Sequence, residues 1–171
     1  KYKYGNAESN DMWKCVGDIA GIYLISIVKE WTYAPGFPLV NVELKDEKLK
    51  LHQERCGCKS DQIWKIPMTL KYGEYKQNYL FETKEAEIEW KYPGVMANVN
   101  SNGLYRVSYS SELVEELKKQ KLNQREIIGI VDGLFTLSTL GKTSLKNYLS
   151  FLQSVEPFTS NTYQVARVVI G

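Results

Sequence analysis

Few residues of this chain have the types and spacing that chemistry needs. His52, Cys56 and Cys58 lie close together, Cys15 stands well ahead of them, and Glu112, Glu115 and Glu116 cluster further on. His52 is the one histidine. A His-x-x-x-His zinc helix requires two imidazoles on one helical face, so none exists in this sequence. A Ser-His-Asp or Cys-His nucleophilic site would have to use His52. That residue falls in an alternating apolar–polar segment, and the alternation predicts that it faces solvent. As zinc ligands, His52, Cys56 and Cys58 make three of the usual four, and Cys15 sits on a different element. The spacing favours a strand-end turn that happens to carry thiols. An odd cysteine count with one pair two residues apart does not make a disulfide framework, so reduced thiols are expected.

The other candidates have structural readings as well. Glu112, Glu115 and Glu116 follow Ser110-Ser111, and carboxylates at a helix start favour the positive end of the helix dipole. Gly141-Lys142-Thr143 has the Lys-Thr pair of a phosphate loop but lacks the upstream glycine, and it reads as a helix cap followed by a new helix start. Trp64 and Trp90 could belong to a ligand-binding aromatic face, but tryptophans within strands are more often core.

The elements that must hold these residues follow from periodicity. Ser9-Asn10-Asp11 is a plausible helix start, Trp13, Val16 and Ala20 share a face, and Gly21 can close the helix. Leu24, Ile27, Val28 and Trp31 then recur at i, i+3, i+4 and i+7. Pro35, Gly36 and Pro38 stop that helix. From Leu39 the period becomes that of a strand. Strands are predicted at Leu39–Leu44, Leu49–Gln53, Ile63–Leu70 (with Pro67 at an edge or bulge), Tyr79–Phe81, Ala86–Trp90, Val95–Asn100 and Leu104–Tyr109. Asp46-Glu47 marks a turn, and Asn102-Gly103 is a strong hairpin signal. After Tyr109 the period is helical again. Ser110-Ser111 caps a helix with Leu113, Val114 and Leu117. Asn123 and Glu126 fit a capping box before Ile127, Ile130, Val131, Leu134 and Leu137. Gly141 ends that helix. Thr143 opens another with Leu145, Tyr148, Leu149 and Leu152, which Glu156-Pro157 breaks, and a last helix is expected from Asn161 to Ile170.

Composition narrows the classes. The chain has 171 residues and a formal net charge of +2, with lysines spread along it, which points away from nucleic acid. No apolar run approaches the roughly 20 residues of a membrane span. The chain opens inside a patterned segment without a signal peptide, so we expect a piece of a longer protein and, from the thiols, a cytoplasmic one.

Several segments resemble, in collinear order, the gluzincin-type zinc aminopeptidases, a family that includes the puromycin-sensitive and tricorn-associated enzymes. They are Tyr4-Gly5-Asn6-Ala7-Glu8 with Asp11-Met12-Trp13, then Trp31-Thr32-x-x-x-Gly36-Phe37-Pro38-Leu39-Val40, then Leu51-His52-Gln53-Glu54-Arg55. Trp64-x-Ile66-Pro67, Asn98 with Gly103-Leu104-Tyr105-Arg106-Val107-Ser108-Tyr109, and Leu122, Arg125, Ile130, Asp132 and Phe135 continue the match. Cys56 stands where the family usually has Phe, and Asp132-Gly133-Leu134 replaces a common Asp-Ala-Phe.

The resemblance implies an α+β chain. A short helical segment, 1–38, would end the catalytic domain. A small antiparallel β-sandwich of about seven strands would follow at 39–109. Antiparallel helices at 110–171 would begin an α-helical superhelical domain. It implies a zinc enzyme that removes N-terminal residues from peptides, with zinc polarising the carbonyl and a Glu as general base. The family's zinc helix, its Gly-x-Met-Glu-Asn substrate motif and its transition-state tyrosine have no matching positions in this sequence. No catalytic, cofactor-binding or metal residue is therefore assigned to this chain. The expectation is an inactive linking piece without zinc of its own, whose partner in the intact enzyme is the peptide substrate. Helices after Ser110 should expose an apolar face that favours self-association. The rival reading is a freestanding β-sandwich and helical module that binds a protein or ligand.

Overall fold

The computed structural model describes residues 5–155, and the expected helix from Asn161 to Ile170 lies outside them. The elements run α1 (Ser9–Ala20), α2 (Leu24–Tyr33), β1 (Pro38–Lys45), β2 (Lys48–Arg55), β3 (Ile66–Tyr72), β4 (Tyr75–Phe81), β5 (Glu85–Glu89), a 3-10 turn (Val99–Ser101), β6 (Arg106–Tyr109), α3 (Ser111–Lys118), α4 (Gln124–Thr139) and α5 (Leu145–Ser154). The α+β class holds, with six strands among the described residues rather than about seven.

Local chemistry sets most of the boundaries. Gly21 closes α1 in the left-handed conformation, at φ 69°. β1 and β2 form a hairpin through Asp46 and Glu47, both at positive φ (52° and 57°), as a two-residue turn that matches strand twist requires. The Asn123–Glu126 capping box is present: the Glu126 N–H donates to Asn123 Oδ1 at 3.1 Å, and the Asn123 N–H donates to Glu126 Oε2 at 3.0 Å. The helix start expected at Thr143 is capped instead by Ser144, whose hydroxyl accepts from the Lys146 N–H.

The strands form a four-stranded sheet in the order β5-β2-β1-β6 and a two-stranded sheet of β3 and β4. Pro67 sits at an exposed position of β3, where its missing N–H leaves no buried gap. Trp64, Ile66, Met68, Leu70 and Phe81 share one core with Val40, Val42, Leu49 and Leu51. That core continues without interruption through Tyr105, Val107 and Tyr109 into Leu113, Leu117, Ile130, Leu134 and Phe151. Trp64 and Trp90 are both buried in it.

One predicted pair of strands does not form. The stretch Val95–Asn100 is no strand. Met96 exchanges backbone hydrogen bonds with Lys71 (2.7 and 2.8 Å), after which Asn98 turns left-handed, at φ 58°, into the 3-10 turn. The cause is the Asn98 side chain. Its Nδ2 donates to the carbonyls of Gly103 (3.0 Å) and Tyr105 (2.9 Å), and its Oδ1 accepts from the Gly103 N–H at 2.8 Å. These bonds satisfy the backbone that a hairpin ladder would otherwise pair. The Asn102-Gly103 hairpin signal is thereby overridden, and β6 pairs in parallel with β1 instead.

Candidate functional site: a junction and an interface

The stretch from Trp31 to Val40, where helix gives way to sheet, is built by contacts that close at long range. Trp31 Nε1 donates to the carbonyl of Lys65 at 2.9 Å, and Glu30 Oε2 accepts from the N–H of the same residue at 2.6 Å. Two adjacent side chains of α2 thus satisfy both backbone groups of Lys65 in the segment that leads into β3. The Trp31 ring packs on Trp64, with centroids 6.5 Å apart. Gly36 is at φ 90°, a left-handed conformation that favours glycine, and the Arg55 guanidinium group packs close over it. Beyond the clamp, α1 and α2 pack mainly on each other, and Met12, Ile19, Ile22, Tyr23 and Tyr33 are exposed.

Gln53 is the buried hub behind the clamp. Its Nε2 donates to the carbonyls of Trp64 (3.0 Å) and Thr83 (2.7 Å), and its Oε1 accepts from the Trp64 N–H at 2.9 Å. Alternation alone placed Gln53 on a half-exposed strand. Its position on the same face as Leu49 and Leu51 was the available signal that it points inward.

Three ion pairs join the sheets to the later helices. Lys71 Nζ lies 2.8 Å from Glu126 Oε1 and 3.0 Å from Oε2, and the Glu126 side chain is only 1% exposed. The carboxylate that closes the α4 capping box therefore also reaches β3. Arg106 on β6 pairs with Asp132 on α4, and its guanidinium stacks over Phe37 at 5.9 Å. Lys142 Nζ lies 3.0 Å from Glu54 Oε1. Burial pushes the Glu54 carboxyl up, but hydrogen bonds from Lys142 and Asn41 outweigh it and hold the group below its ordinary range. A cleft of about 250 Å³ between β6 and α4 is lined by Phe37, Arg106, Tyr109, Gly129 and Asp132 among others. Tyr109 is buried there, donates its hydroxyl proton to the Ala97 carbonyl and accepts from the Ala97 N–H, both at 3.0 Å; burial drives its ionisation far up.

The residues singled out for chemistry are scattered. His52 lies on β2 beside Asn41, with Nδ1 and Nδ2 3.4 Å apart, away from the thiols in the turn that follows. Among the described residues no three His, Cys, Asp or Glu side chains converge on a point that a metal ion could occupy. Glu115 and Glu116 pair with Lys118 and Lys119 one turn on, and Ser110 caps α3. Lys142 of the Gly-Lys-Thr segment is taken up by Glu54. What the fold assembles is a set of polar clamps between elements, which residue-type motifs do not reveal.

No family model matches this chain. Known proteins do. It is 34% identical over 154 residues to the tricorn protease-interacting factor F2 of Thermoplasma acidophilum, across 87% of this chain and 19% of that protein. It is 29% identical over 191 residues to aminopeptidase M1-A of Oryza sativa subsp. japonica, across 99% of this chain and 21% of the relative. It is 28% identical over 155 residues to the leucyl aminopeptidase of Saccharolobus solfataricus, across 86% of this chain and 19% of the relative. The chain spans about a fifth of the length of these curated relatives, and over that span its homologues are aminopeptidases of the M1 family.

Proposed function

We propose that this chain is the non-catalytic connecting part of a zinc metalloaminopeptidase that removes N-terminal residues from peptides. The observation that carries the reading is the collinear match of nearly the whole chain to one segment of several aminopeptidases. In this reading residues 1–38 complete the helical end of the catalytic domain, 39–109 are the sandwich, and 110–171 begin the helical domain that encloses the peptide. The zinc and the residues that hold it belong to other segments of the enzyme. The exposed apolar side chains of α1 and α2 suit a surface that a larger helical body covers. Cys15, Cys56 and Cys58 are free thiols, which suits a reducing, cytoplasmic compartment.

The contribution of this part is geometric. The Lys65 clamp fixes α2 on the sheets, and the Lys71–Glu126, Arg106–Asp132 and Lys142–Glu54 pairs fix α4 and the turn after it on the same sheets. A rigid spacer of this kind would set where the wall of a peptide chamber stands relative to a catalytic centre. Two assays test the reading. The purified chain should release no amine from aminoacyl reporter substrates. Exchanged into the matching segment of a full-length relative, it should leave zinc content and turnover measurable. Hydrolysis by the isolated chain that survives a mock-purification control would overturn the proposal.

A further inference from the structure

The turn that follows β2 reads Cys56-Gly57-Cys58, and none of the clamps described above uses either thiol. Cys58 is exposed and Cys56 is half-buried. Gly57 has φ 84° with open space where a Cβ would be, so the chain reverses there at no steric cost. Two Cα–Cα steps of about 3.8 Å folded by such a turn span roughly 5.5–6 Å. A disulfide needs about 4.4–6.8 Å between its Cα atoms. The Cys56 N–H donates to the Phe37 carbonyl at 3.0 Å, so one end of the turn is anchored on the backbone. Burial raises the Cys56 thiol, while the positive charges of Arg106 and Lys142 oppose burial and favour its thiolate; the carboxylate of Glu54 and the neighbouring Cys58 act with burial.

We propose that Cys56 and Cys58 form a redox-active dithiol that closes into an intramolecular disulfide by exchange with a low-molecular-weight disulfide. Exposure sets the order of events. The Cys58 thiolate attacks one sulfur of the small disulfide RS–SR, forming Cys58–S–SR and releasing RS⁻. The Cys56 thiolate then attacks the Cys58 sulfur, forming the Cys56–Cys58 bond and releasing the second RS⁻. The two protons lost by the protein thiols convert the two RS⁻ into two RSH. The protein dithiol is oxidised by two electrons and the small disulfide is reduced by the same two. An exposed bond in so small a ring belongs to the labile class, so a small thiol should reopen it. The bond would lock the turn whose Cys56 N–H is already anchored on the Phe37 carbonyl, at the hand-over from helix to sheet.

The test uses the full chain with Cys15→Ser, which removes the third thiol. It is incubated natively with oxidised glutathione, then analysed by intact mass, thiol titration and peptide mapping. The expected product is lighter by two hydrogens, carries no glutathione, has lost both titratable thiols and maps to a 56–58 link that dithiothreitol reverses. Cys58→Ser on the same background should abolish that product and leave Cys56 titratable or glutathionylated. A stable glutathione adduct on Cys58 with Cys56 still titratable, disulfide-linked dimers, or two unreacted thiols would each overturn the proposal.

Discussion

Trp31 on α2 donates its indole N–H to the carbonyl of Lys65, 34 residues further along the chain, at 2.9 Å. Beside it, Glu30 accepts from the Lys65 N–H. One peptide position is thus gripped from both sides by two consecutive side chains. Trp31→Phe keeps the ring against Trp64 but removes the donor, leaving the Lys65 carbonyl without this partner. We expect a loss of about 1–2 kcal/mol. Amides within Leu24–Tyr33 should exchange with solvent faster, while those of β1 and β2 keep their protection. Uniformly faster exchange across both regions would show that the clamp is not local.

Lys71 and Glu126 face each other across the boundary between sheet and helix, with Glu126 almost fully buried. Lys71→Met leaves a buried carboxylate without its cation, and removal of one partner from such a pair costs on the order of 3 kcal/mol. Adding Glu126→Gln should recover much of the loss, because an amide oxygen can still accept from the Asn123 N–H while the buried charge is gone. Denaturant unfolding of the single and double variants checks this, and equal stability of the two would sink it.

The Glu54 carboxyl is held below its ordinary value of 4.5. A depressed folded-state value means that the group stabilises the fold above its unfolded value. That contribution fades as pH falls through the lower folded value. Glu54→Gln should therefore be less stable than the parent chain near neutral pH, with the two curves converging as the pH drops below about 4. Unfolding midpoints across about pH 2–7 provide the measurement. A constant gap down to pH 2 would exclude the linkage.

Phe135, Leu140, Leu145 and Leu149 are large apolar side chains left exposed on α4, its C-terminal end and α5. Apolar patches of a few hundred Å² and more promote association. The isolated chain should therefore self-associate at high concentration, and Leu149→Lys should shift it toward monomer in light scattering. Strictly monomeric behaviour of the unsubstituted chain would count against an interface on this face.

Much of the local structure was legible in the sequence because it depends on neighbours within four or five residues. Gly21 as a left-handed cap, the Asp46-Glu47 turn, the Asn123–Glu126 box and the switch of period at Pro35–Pro38 are all short-range physics. The family was legible too, through motifs kept in order along the chain. Residue types and spacing did not reveal the clamps, since Glu30, Trp31 and Gln53 act on backbone groups whose own side chains say nothing of the contact. Tertiary structure alone decided that Val95–Asn100 is no strand and that β6 lies parallel to β1. An Asn-Gly pair favours a hairpin only while no nearer donor competes. The Asn98 amide satisfies the Gly103 and Tyr105 backbone in place of a strand, and that leaves β6 free to complete its ladder on β1.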